Sequence, residues 1–176
     1  MPFVEPTKNI NYLDLKEGWK VADFGTGTGF YALALAKRVG EKGRVYAIDV
    51  QKDLLSALAN KAKADGLGNI DTIWSDLDEN GGAMLGDGSI DACVVSNILF
   101  QAEKKEVIAS EAARITKSGG QVLVIDWSGS HGGVGPMSSQ VVTRAEAERL
   151  FMPNSFVIDK EFDAGDHHWG VVFKKI

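Results

Sequence analysis

A glycine run near the amino terminus constrains this chain more than any other segment. It reads Val21-Ala-Asp-Phe-Gly-Thr-Gly-Thr-Gly29, with glycine at every second position from Gly25 and an acid, Asp23, in front. The apolar approach predicts a short buried strand, and glycine allows the positive φ angles and close backbone approach that a ligand-binding turn requires. The run therefore predicts a strand that stops beneath a nucleotide-like ligand.

A helix is predicted directly behind the glycines. Apolar residues repeat at helical spacing from Phe30 to Val39, and Gly40 follows where a helix commonly takes a left-handed residue. The free N–H groups of the first turn and the positive end of the helix dipole favour an anionic or carboxylate-bearing group at the turn. Strand, glycine turn and helix thus form one unit.

The glycines alone do not identify the nucleotide, because a dinucleotide fingerprint of the form GxGxxG or GxGxxA must also be weighed. Counted from Gly25, the last position of that fingerprint is Phe30, which does not fit. Counted from Gly27, the chain offers Gly27, Gly29 and Ala32, which do fit. A nicotinamide cofactor is therefore an alternative at this point.

Two further acids follow predicted strands. Asp49 ends the stretch Arg44-Val-Tyr-Ala-Ile-Asp49, about 20 residues beyond the glycines, which is the separation expected of an acid that binds ribose hydroxyls. Asp76 ends the stretch Ile70-Asp-Thr-Ile-Trp-Ser-Asp76. With Asp23 and the glycines, this constellation resembles that of the class I S-adenosylmethionine-dependent methyltransferases. Their first motif is DxGxGxG, and their third strand commonly ends in an acid that binds the adenine amino group.

The resemblance covers most of the chain, from about Leu15 to Ile176. Residues 91–97 resemble the family's fourth strand, and residues 115–126 resemble its fifth strand with the preceding glycine turn, except that Ser118 replaces the usual proline. The last residues read as two strands joined by a polar turn, like the antiparallel pair that ends the family's sheet. The resemblance implies an α/β fold: a doubly wound, Rossmann-like, mainly parallel seven-stranded sheet with an antiparallel C-terminal strand and helices on both faces.

Ligands of such folds collect where the carboxyl ends of the strands meet. The resemblance implies that the glycine loop holds the methionine part of S-adenosylmethionine, Asp49 the ribose hydroxyls, and Asp76 with the Leu77 backbone the adenine edge. As a structural alternative, each acid could instead cap a helix or form a turn. The residues implied to bind the cofactor are Asp23, Gly25, Thr26, Gly27, Gly29, Asp49, Val50, Asp76, Leu77, Ser96 and Asn97.

The reaction requires mainly that the cofactor's methyl group be aligned with a nucleophile, because the sulfonium already activates it. A hydroxyl or an acidic carbon as nucleophile would also use a general base. The catalytic candidates are Asp126, at the end of the fifth strand, and His131, in the glycine-rich loop behind it. His167 and His168 are weaker candidates, because neighbours on a predicted strand point to opposite faces.

Composition narrows the remaining choices of binding partner, cellular location and metal content. The net charge of −5 argues against sequence-independent binding of nucleic acid, because such binding depends on many Lys and Arg contacts with phosphates. The length suits a single domain, 1–176. Cys93 is the one cysteine, so no internal disulfide is possible, and no leader or membrane-spanning run is evident. We therefore expect a cytoplasmic protein. No metal is expected, since Asp126 with Asn97 provides too few oxygen ligands for an octahedral divalent ion.

The methyl acceptor is the least determined feature. Only about 15 residues precede the first strand, whereas ubiquinone and menaquinone methyltransferases generally carry longer N-terminal caps. Residues 96–101 resemble the end of strand four in that group, but Phe100 stands where many of its members have histidine. We expect in-line methyl transfer to an O, N or C nucleophile of a small molecule, with S-adenosylhomocysteine as the product. The alternatives are a protein methyltransferase with an open cleft, a nicotinamide-dependent oxidoreductase and a non-catalytic S-adenosylmethionine-binding module.

Overall fold

A seven-stranded sheet forms the centre of the computed structural model, which describes residues 4–176. The strands are β1 (Lys20–Phe24), β2 (Arg44–Asp49), β3 (Ile70–Trp74), β4 (Ile90–Ser96), β5 (Thr116–Trp127), β6 (Phe156–Gly165) and β7 (His168–Lys175). Their spatial order is β3-β2-β1-β4-β5-β7-β6; the first five run parallel, and β7 runs antiparallel to both of its neighbours. The predicted mainly parallel sheet with an antiparallel C-terminal strand is confirmed.

Helices cover both faces of this sheet, as predicted. They are α1 (Pro6–Asn9), α2 (Phe30–Val39), α3 (Lys52–Ala64), α4 (Lys105–Ile115) and α5 (Arg144–Phe151), with 3₁₀ turns at Ile10–Tyr12 and Met152–Asn154. Helices α2 and α3 contribute to the core on one face, and α4 and α5 to the core on the other. Within the described part of the chain, no helix is both long and apolar enough to cross a membrane.

The central strands supply side chains to two separate cores. In β1, Val21 packs beneath α2, whereas Ala22 and Phe24 pack on the α4 side. In β4, Val94 packs on the α2 side and Cys93 packs on the α4 side. Because helices cover both faces, these strands are apolar along nearly their whole length instead of alternating with polar residues. The polar residues of the central strands are therefore concentrated at the strand ends, where a ligand can reach them.

The start of β5 differs from the sequence expectation. The strand begins at Thr116 and runs through the predicted glycine turn, with a register shift against β4 between Ile90 and Ala92. Gly120 lies in this irregular stretch, and a Cβ added there would approach the carbonyl oxygen of Asp91 to 2.8 Å. The glycine is needed because two backbones pass close together at this point.

The amino-terminal strap, residues 4–15, lies across the α2 side of the sheet. Asn9 is buried, and its Nδ2 donates a hydrogen bond to the carbonyl oxygen of Ala164 in β6 at 3.0 Å. The ring of Tyr12 stacks on that of Phe162, also in β6, with ring centroids 3.6 Å apart. These contacts tie the strap to the last part of the sheet.

A capping box opens α5, and it offers a test of the fold. Glu146 N donates to Thr143 Oγ1 at 3.2 Å, while the Glu146 carboxylate accepts from Thr143 N at 2.7 Å. Replacing Thr143 with Ala removes the first bond and should lower the free energy of unfolding by about 1 kcal/mol, measured by urea denaturation. Arg149→Ala, at an exposed position of the same helix, is the control and should change it by less than about 0.5 kcal/mol. Equal stability of the two variants would contradict the prediction.

Candidate functional site

The predicted glycine turn lies at the centre of a cleft formed where β1, β2 and β4 end. Gly25, Gly27 and Gly29 have positive φ angles of 63°, 54° and 79°. A Cβ added at Gly27 would meet only a loop carbonyl, at 3.9 Å, so its backbone is open to the cleft. A Cβ added at Gly29 would instead collide with Leu58 of α3. The lack of a side chain at Gly27 therefore leaves its backbone open to a ligand, and the lack of one at Gly29 lets the turn pack against α3.

Asp23, at the end of β1, is buried and holds the inner side of the turn. Its Oδ2 accepts a hydrogen bond from Thr26 Oγ1 at 2.6 Å, and the amide of Ala32 in the first turn of α2 also donates to the carboxylate. The acidic group that the start of α2 favours is thus supplied by the chain itself. Burial, with a smaller contribution from the charge of Asp49, raises the pKa of Asp23 to about 7, although both hydrogen bonds lower it.

Asp49, at the end of β2, holds the turn from the opposite side. Its Oδ2 accepts from the backbone N–H of Gly27 at 2.8 Å, and its Oδ1 accepts from that of Gln51 at 2.9 Å. The backbone N–H of Thr26 also donates to the carbonyl oxygen of Ile48, at 3.0 Å. Each carboxylate oxygen can accept a second hydrogen bond, so Asp49 can support the loop and still bind a ligand.

A smaller cavity of about 320 Å³ opens on the Asp49 side of the turn. Asp76 lies in the loop beyond β3, two residues after the strand ends at Trp74, and its Oδ1 accepts from the N–H of Asp78 at 2.9 Å. The cavity combines carboxylates with apolar side chains, an arrangement suited to a flat heterocycle that carries polar groups at its edge. Its lining residues include Gly25, Gly27, Asp49, Val50, Asp76, Leu77, Ile98, Gln101 and Ile108.

A larger cavity of about 660 Å³ opens on the other side of the turn. One wall is the strap, from Val4 to Lys8, and the others come from the glycine loop, the start of α2 and the end of β4. Gly25, Gly27 and Gln101 border both cavities, so the two form one cleft divided by backbone. The further lining residues are Asp23, Thr26, Thr28, Phe30, Tyr31, Ser96 and Asn97.

Two polar atoms next to this larger cavity lack partners. Ser96 Oγ and Asn97 Oδ1 are buried atoms without a hydrogen bond of acceptable geometry in residues 4–176. Asn97 also has a positive φ of 57°, which asparagine tolerates better than most residues. A buried polar atom without a partner costs about 1–3 kcal/mol. These atoms are therefore positioned for a ligand that restores the missing hydrogen bonds.

The structure brings most of the predicted cofactor residues together and leaves the two catalytic candidates apart. Ten of the eleven line one of the two cavities; Gly29, which packs on α3, does not. Asp126 is fully buried, and neither it nor His131 lines either cavity. Asp126 Oδ1 accepts from Trp127 N at 2.8 Å and its Oδ2 from Phe100 N at 3.3 Å, and burial raises its pKa to about 6. Its position supports a structural role in the loop after β4, and a catalytic role stays a prediction.

The histidines lie together outside the two cavities. The rings of His131 and His167 stack with centroids 3.8 Å apart, and His168 lies against Trp127 at 4.3 Å. The expectation that His167 and His168 are neighbours on one strand is wrong, because His167 has a φ of 67° in the turn between β6 and β7. This turn allows His167 to reach the loop that carries His131.

Metal-binding side chains are not grouped in the described part of the chain. No set of three or more His, Cys, Asp or Glu there is arranged to hold an ion. This observation does not test the expectation of a metal-free site, which stays a prediction. Cys93 is free and buried, and burial raises the pKa of its thiol.

Sequence reasoning missed several residues of the larger cavity. Phe30 and Tyr31 belong to the helical apolar pattern, which predicted core positions, yet Phe30 is 67% exposed and both line the cavity. The strap residues Val4 to Lys8 precede every recognised motif. Gln101 follows β4 by five residues, and no local pattern marked it. Their positions depend on how distant segments pack, which periodicity does not report.

Comparison with known proteins gives a consistent result. A family model described as a methyltransferase domain matches residues 21–120. A demethylmenaquinone methyltransferase from Geobacillus kaustophilus is 31% identical over 119 residues, which is 66% of this chain and 48% of that protein. A ubiquinone/menaquinone biosynthesis C-methyltransferase from Rhizobium meliloti is 29% identical over 114 residues, 64% of this chain and 43% of that protein. The chain spans about half the length of these curated relatives.

One similar solved structure extends the likeness to nearly the whole chain. The crystal structure of an S-adenosylmethionine-dependent methyltransferase from Aquifex aeolicus superposes with a TM-score of 0.85 and 29% sequence identity. The match covers 97% of this chain and 89% of that one. The likeness therefore includes the C-terminal strands, which lie outside the family-model match.

The buried Asp23 carboxyl predicts a pH-dependent stability. Its pKa rises from an ordinary 3.8 to about 7 on folding, so between these values the folded chain binds the extra proton and stability falls as pH rises. Asp23→Asn cannot ionise, so its unfolding free energy should fall less than that of the wild type between about pH 5 and about pH 8, measured by urea denaturation. Asp53→Asn, at an exposed position in the first turn of α3, should behave as wild type. An identical pH dependence in Asp23→Asn and the wild type would refute the prediction.

Proposed function

The chain belongs to the class I S-adenosylmethionine-dependent methyltransferases, and from this premise we propose that residues 1–176 act as one domain that methylates a small hydroxylated aromatic molecule. The observation that carries the proposal is the cleft divided by the backbone of Gly25 and Gly27. It offers a nucleoside compartment and an acceptor compartment that meet at Gly25, Gly27 and Gln101. A methyl donor bridging the two could present its methyl group to the acceptor there.

The smaller cavity suits the adenosine of the cofactor. Leu77, Ile98 and Ile108 offer apolar contacts to a flat heterocycle. Asp49 has a remaining acceptor site on each oxygen, which suits the two ribose hydroxyls. Asp76 is the acid available to the adenine amino group. This placement agrees with the roles that the sequence resemblance implied.

The floor of the cleft suits the amino-acid part of the cofactor. Asn97 Oδ1 is a buried acceptor without a partner, and an ammonium group is a donor only. Asp23 lines the same cavity and provides negative potential for a cationic ligand. When bound, S-adenosylmethionine supplies an activated methyl on a sulfonium. The residues of the chain orient the donor and acceptor and limit the access of water.

The larger cavity suits a flat, partly apolar acceptor. Its volume lies within the range of about 300–1,000 Å³ that is usual for small-molecule sites. Phe30 and Tyr31 contribute aromatic rings, and Val4 and Pro6 contribute apolar contacts. The curated relatives are named for demethylmenaquinone and for carbon methylation in ubiquinone/menaquinone biosynthesis. We extend only the chemical class to this chain: a quinol ring methylated at a carbon beside a hydroxyl.

The alternatives have less support. A dinucleotide places its pyrophosphate at the start of the helix after the glycines, but here Asp23 already occupies that position and an acid there opposes a phosphate. The strap walls the larger cavity, which suits a small acceptor better than a protein chain. A non-catalytic cofactor-binding module is distinguished by the assay below. Cys93, free and buried, fits the reducing cytoplasm in which we place the protein.

Calorimetry and methyl transfer test this function together. Purified protein should bind S-adenosylhomocysteine in the micromolar range and give no heat with NAD⁺. It should then transfer tritiated methyl from S-adenosylmethionine to a short-chain demethylmenaquinol kept reduced under argon, with the label recovered in the organic extract. Binding without transfer to this quinol, to simpler phenols or to a peptide mixture would favour the non-catalytic module. Binding of NAD⁺ in place of S-adenosylhomocysteine would overturn the proposal.

Asp49 gives a residue-level prediction for cofactor binding. Asp49→Asn removes the charge that strengthens its hydrogen bonds to ribose hydroxyls and to Gly27, so affinity for S-adenosylhomocysteine should fall by about tenfold or more in calorimetry. Asp53→Asn, an exposed acid of α3, is the matched control and should bind as wild type. The unfolding free energy of both variants separates loss of ligand contacts from general destabilisation. Unchanged affinity in Asp49→Asn would disprove the ribose placement.

A further inference from the structure

Tyr31 lies in the first turn of α2, lines the larger cavity, and has its hydroxyl bound by the amino-terminal strap. The residue is 9% exposed and contributes to the lining of that cavity, but not to that of the smaller one. Asn9 of the strap donates a hydrogen bond from Nδ2 to the Tyr31 hydroxyl oxygen at 3.1 Å. The second hydrogen of the same amide is bound to the carbonyl oxygen of Ala164. Asn9 is thereby held in one orientation, and it holds Tyr31 in turn.

The Asn9 bond uses the Tyr31 oxygen as an acceptor and does not use the hydroxyl proton. A phenol oxygen that accepts one hydrogen bond still has its own O–H to donate. Ser96 lies close enough to Tyr31 to interact with it, yet its Oγ meets no group with acceptable hydrogen-bond geometry. Burial raises the pKa of Tyr31 to about 12, so the group stays protonated and remains a donor at neutral pH. An oxygen atom of a ligand in the cavity would accept the hydrogen bond that the Tyr31 hydroxyl can donate.

We propose that the Tyr31 hydroxyl donates a hydrogen bond to the acceptor's phenolic oxygen, the one beside the ring carbon that receives the methyl group. This inference rests on the proposed function and adds a residue to it. Asn9 acts as a positioning residue, because its amide binds the Tyr31 oxygen. The acceptor class is accordingly an aromatic ring that carries a hydroxyl ortho to an unsubstituted carbon.

The step assigned to Tyr31 is the stabilisation of negative charge on that oxygen. The acceptor hydroxyl first loses its proton to water, and the phenolate electron pair makes the ortho carbon nucleophilic. That carbon then forms a bond to the methyl group while the carbon–sulfur bond breaks, and its electron pair goes to sulfur. Loss of the ring proton to water restores the aromatic ring as a phenolate, which then takes one proton back from water to give the methylated phenol. A fixed donor at the phenolate oxygen favours the ionised acceptor and therefore the reactive form.

Tyr31→Phe tests the inference, and Tyr12→Phe is the matched control, because Tyr12 lies on the strap and contacts Phe162 by ring stacking. With the short-chain demethylmenaquinol, Tyr31→Phe should lower kcat by about 100- to 1,000-fold, the scale of losing one preorganised donor. The pH profile of kcat should also shift to higher pH, because the bound phenol ionises less readily. Asp23, Glu5 and Lys8, the other ionisable groups lining the cavity, are unchanged in both variants. Affinity for S-adenosylhomocysteine should stay at the wild-type value.

Other outcomes contradict the inference in distinguishable ways. A parallel loss of S-adenosylhomocysteine affinity in Tyr31→Phe would show that the hydroxyl serves the cofactor. A lower kcat without a shifted pH profile, or an equal effect in Tyr12→Phe, would show a structural role in holding the strap. Wild-type kinetics in Tyr31→Phe would show no role. If the wild-type protein bound no S-adenosylhomocysteine, the proposed function itself would fail, and the inference with it.

Discussion

Two carboxylates hold the glycine turn from opposite sides, and the geometry of the whole cleft depends on this. Asp23 binds the Thr26 hydroxyl at 2.6 Å and the start of α2, while Asp49 binds the Gly27 amide at 2.8 Å. Their hydrogen bonds stabilise a left-handed backbone that would otherwise have unpaired N–H groups. With the turn fixed, the backbone of Gly25 and Gly27 lies between the two cavities, and Gln101 borders both of them as well.

Placing these two carboxylates close together also has an electrostatic cost, which a cationic ligand can relieve. Asp23 is desolvated, and the charge of Asp49 further opposes its ionisation, so its pKa lies near 7. A cation in the cleft would favour the ionised form of both acids. S-adenosylmethionine carries a sulfonium and an ammonium, whereas S-adenosylhomocysteine has lost the sulfonium charge. A cleft with two acids behind its glycine turn is therefore better matched to the methyl donor than to the product.

Much of the fold and of the cofactor side of the cleft was predictable, because both depend on local patterns. Glycines at alternate positions and acids at strand ends identified Asp23, Asp49 and Asp76, and the parallel topology brings strand ends together without further information. The aromatic residues and the strap that line the larger cavity were not predictable in this way. Tyr31 is held by Asn9, which lies 22 residues before it in the chain. Asn9 also binds the carbonyl oxygen of Ala164, which lies 155 residues after Asn9. Helical periodicity marks such a tyrosine as core and cannot report contacts of that range.

Asp126 lies near the end of β5 but lines neither of the two cavities. Both of its oxygens accept backbone N–H groups, and burial removes it from solvent and from the two cavities. One of those donors is Phe100, in the loop that carries Asn97 and Gln101 to the cleft. Removing the carboxylate would leave these amides unpaired and release the loop. The acid thus supports the loop through the backbone that it binds, whereas Tyr31, from the helical pattern, lines the larger cavity itself.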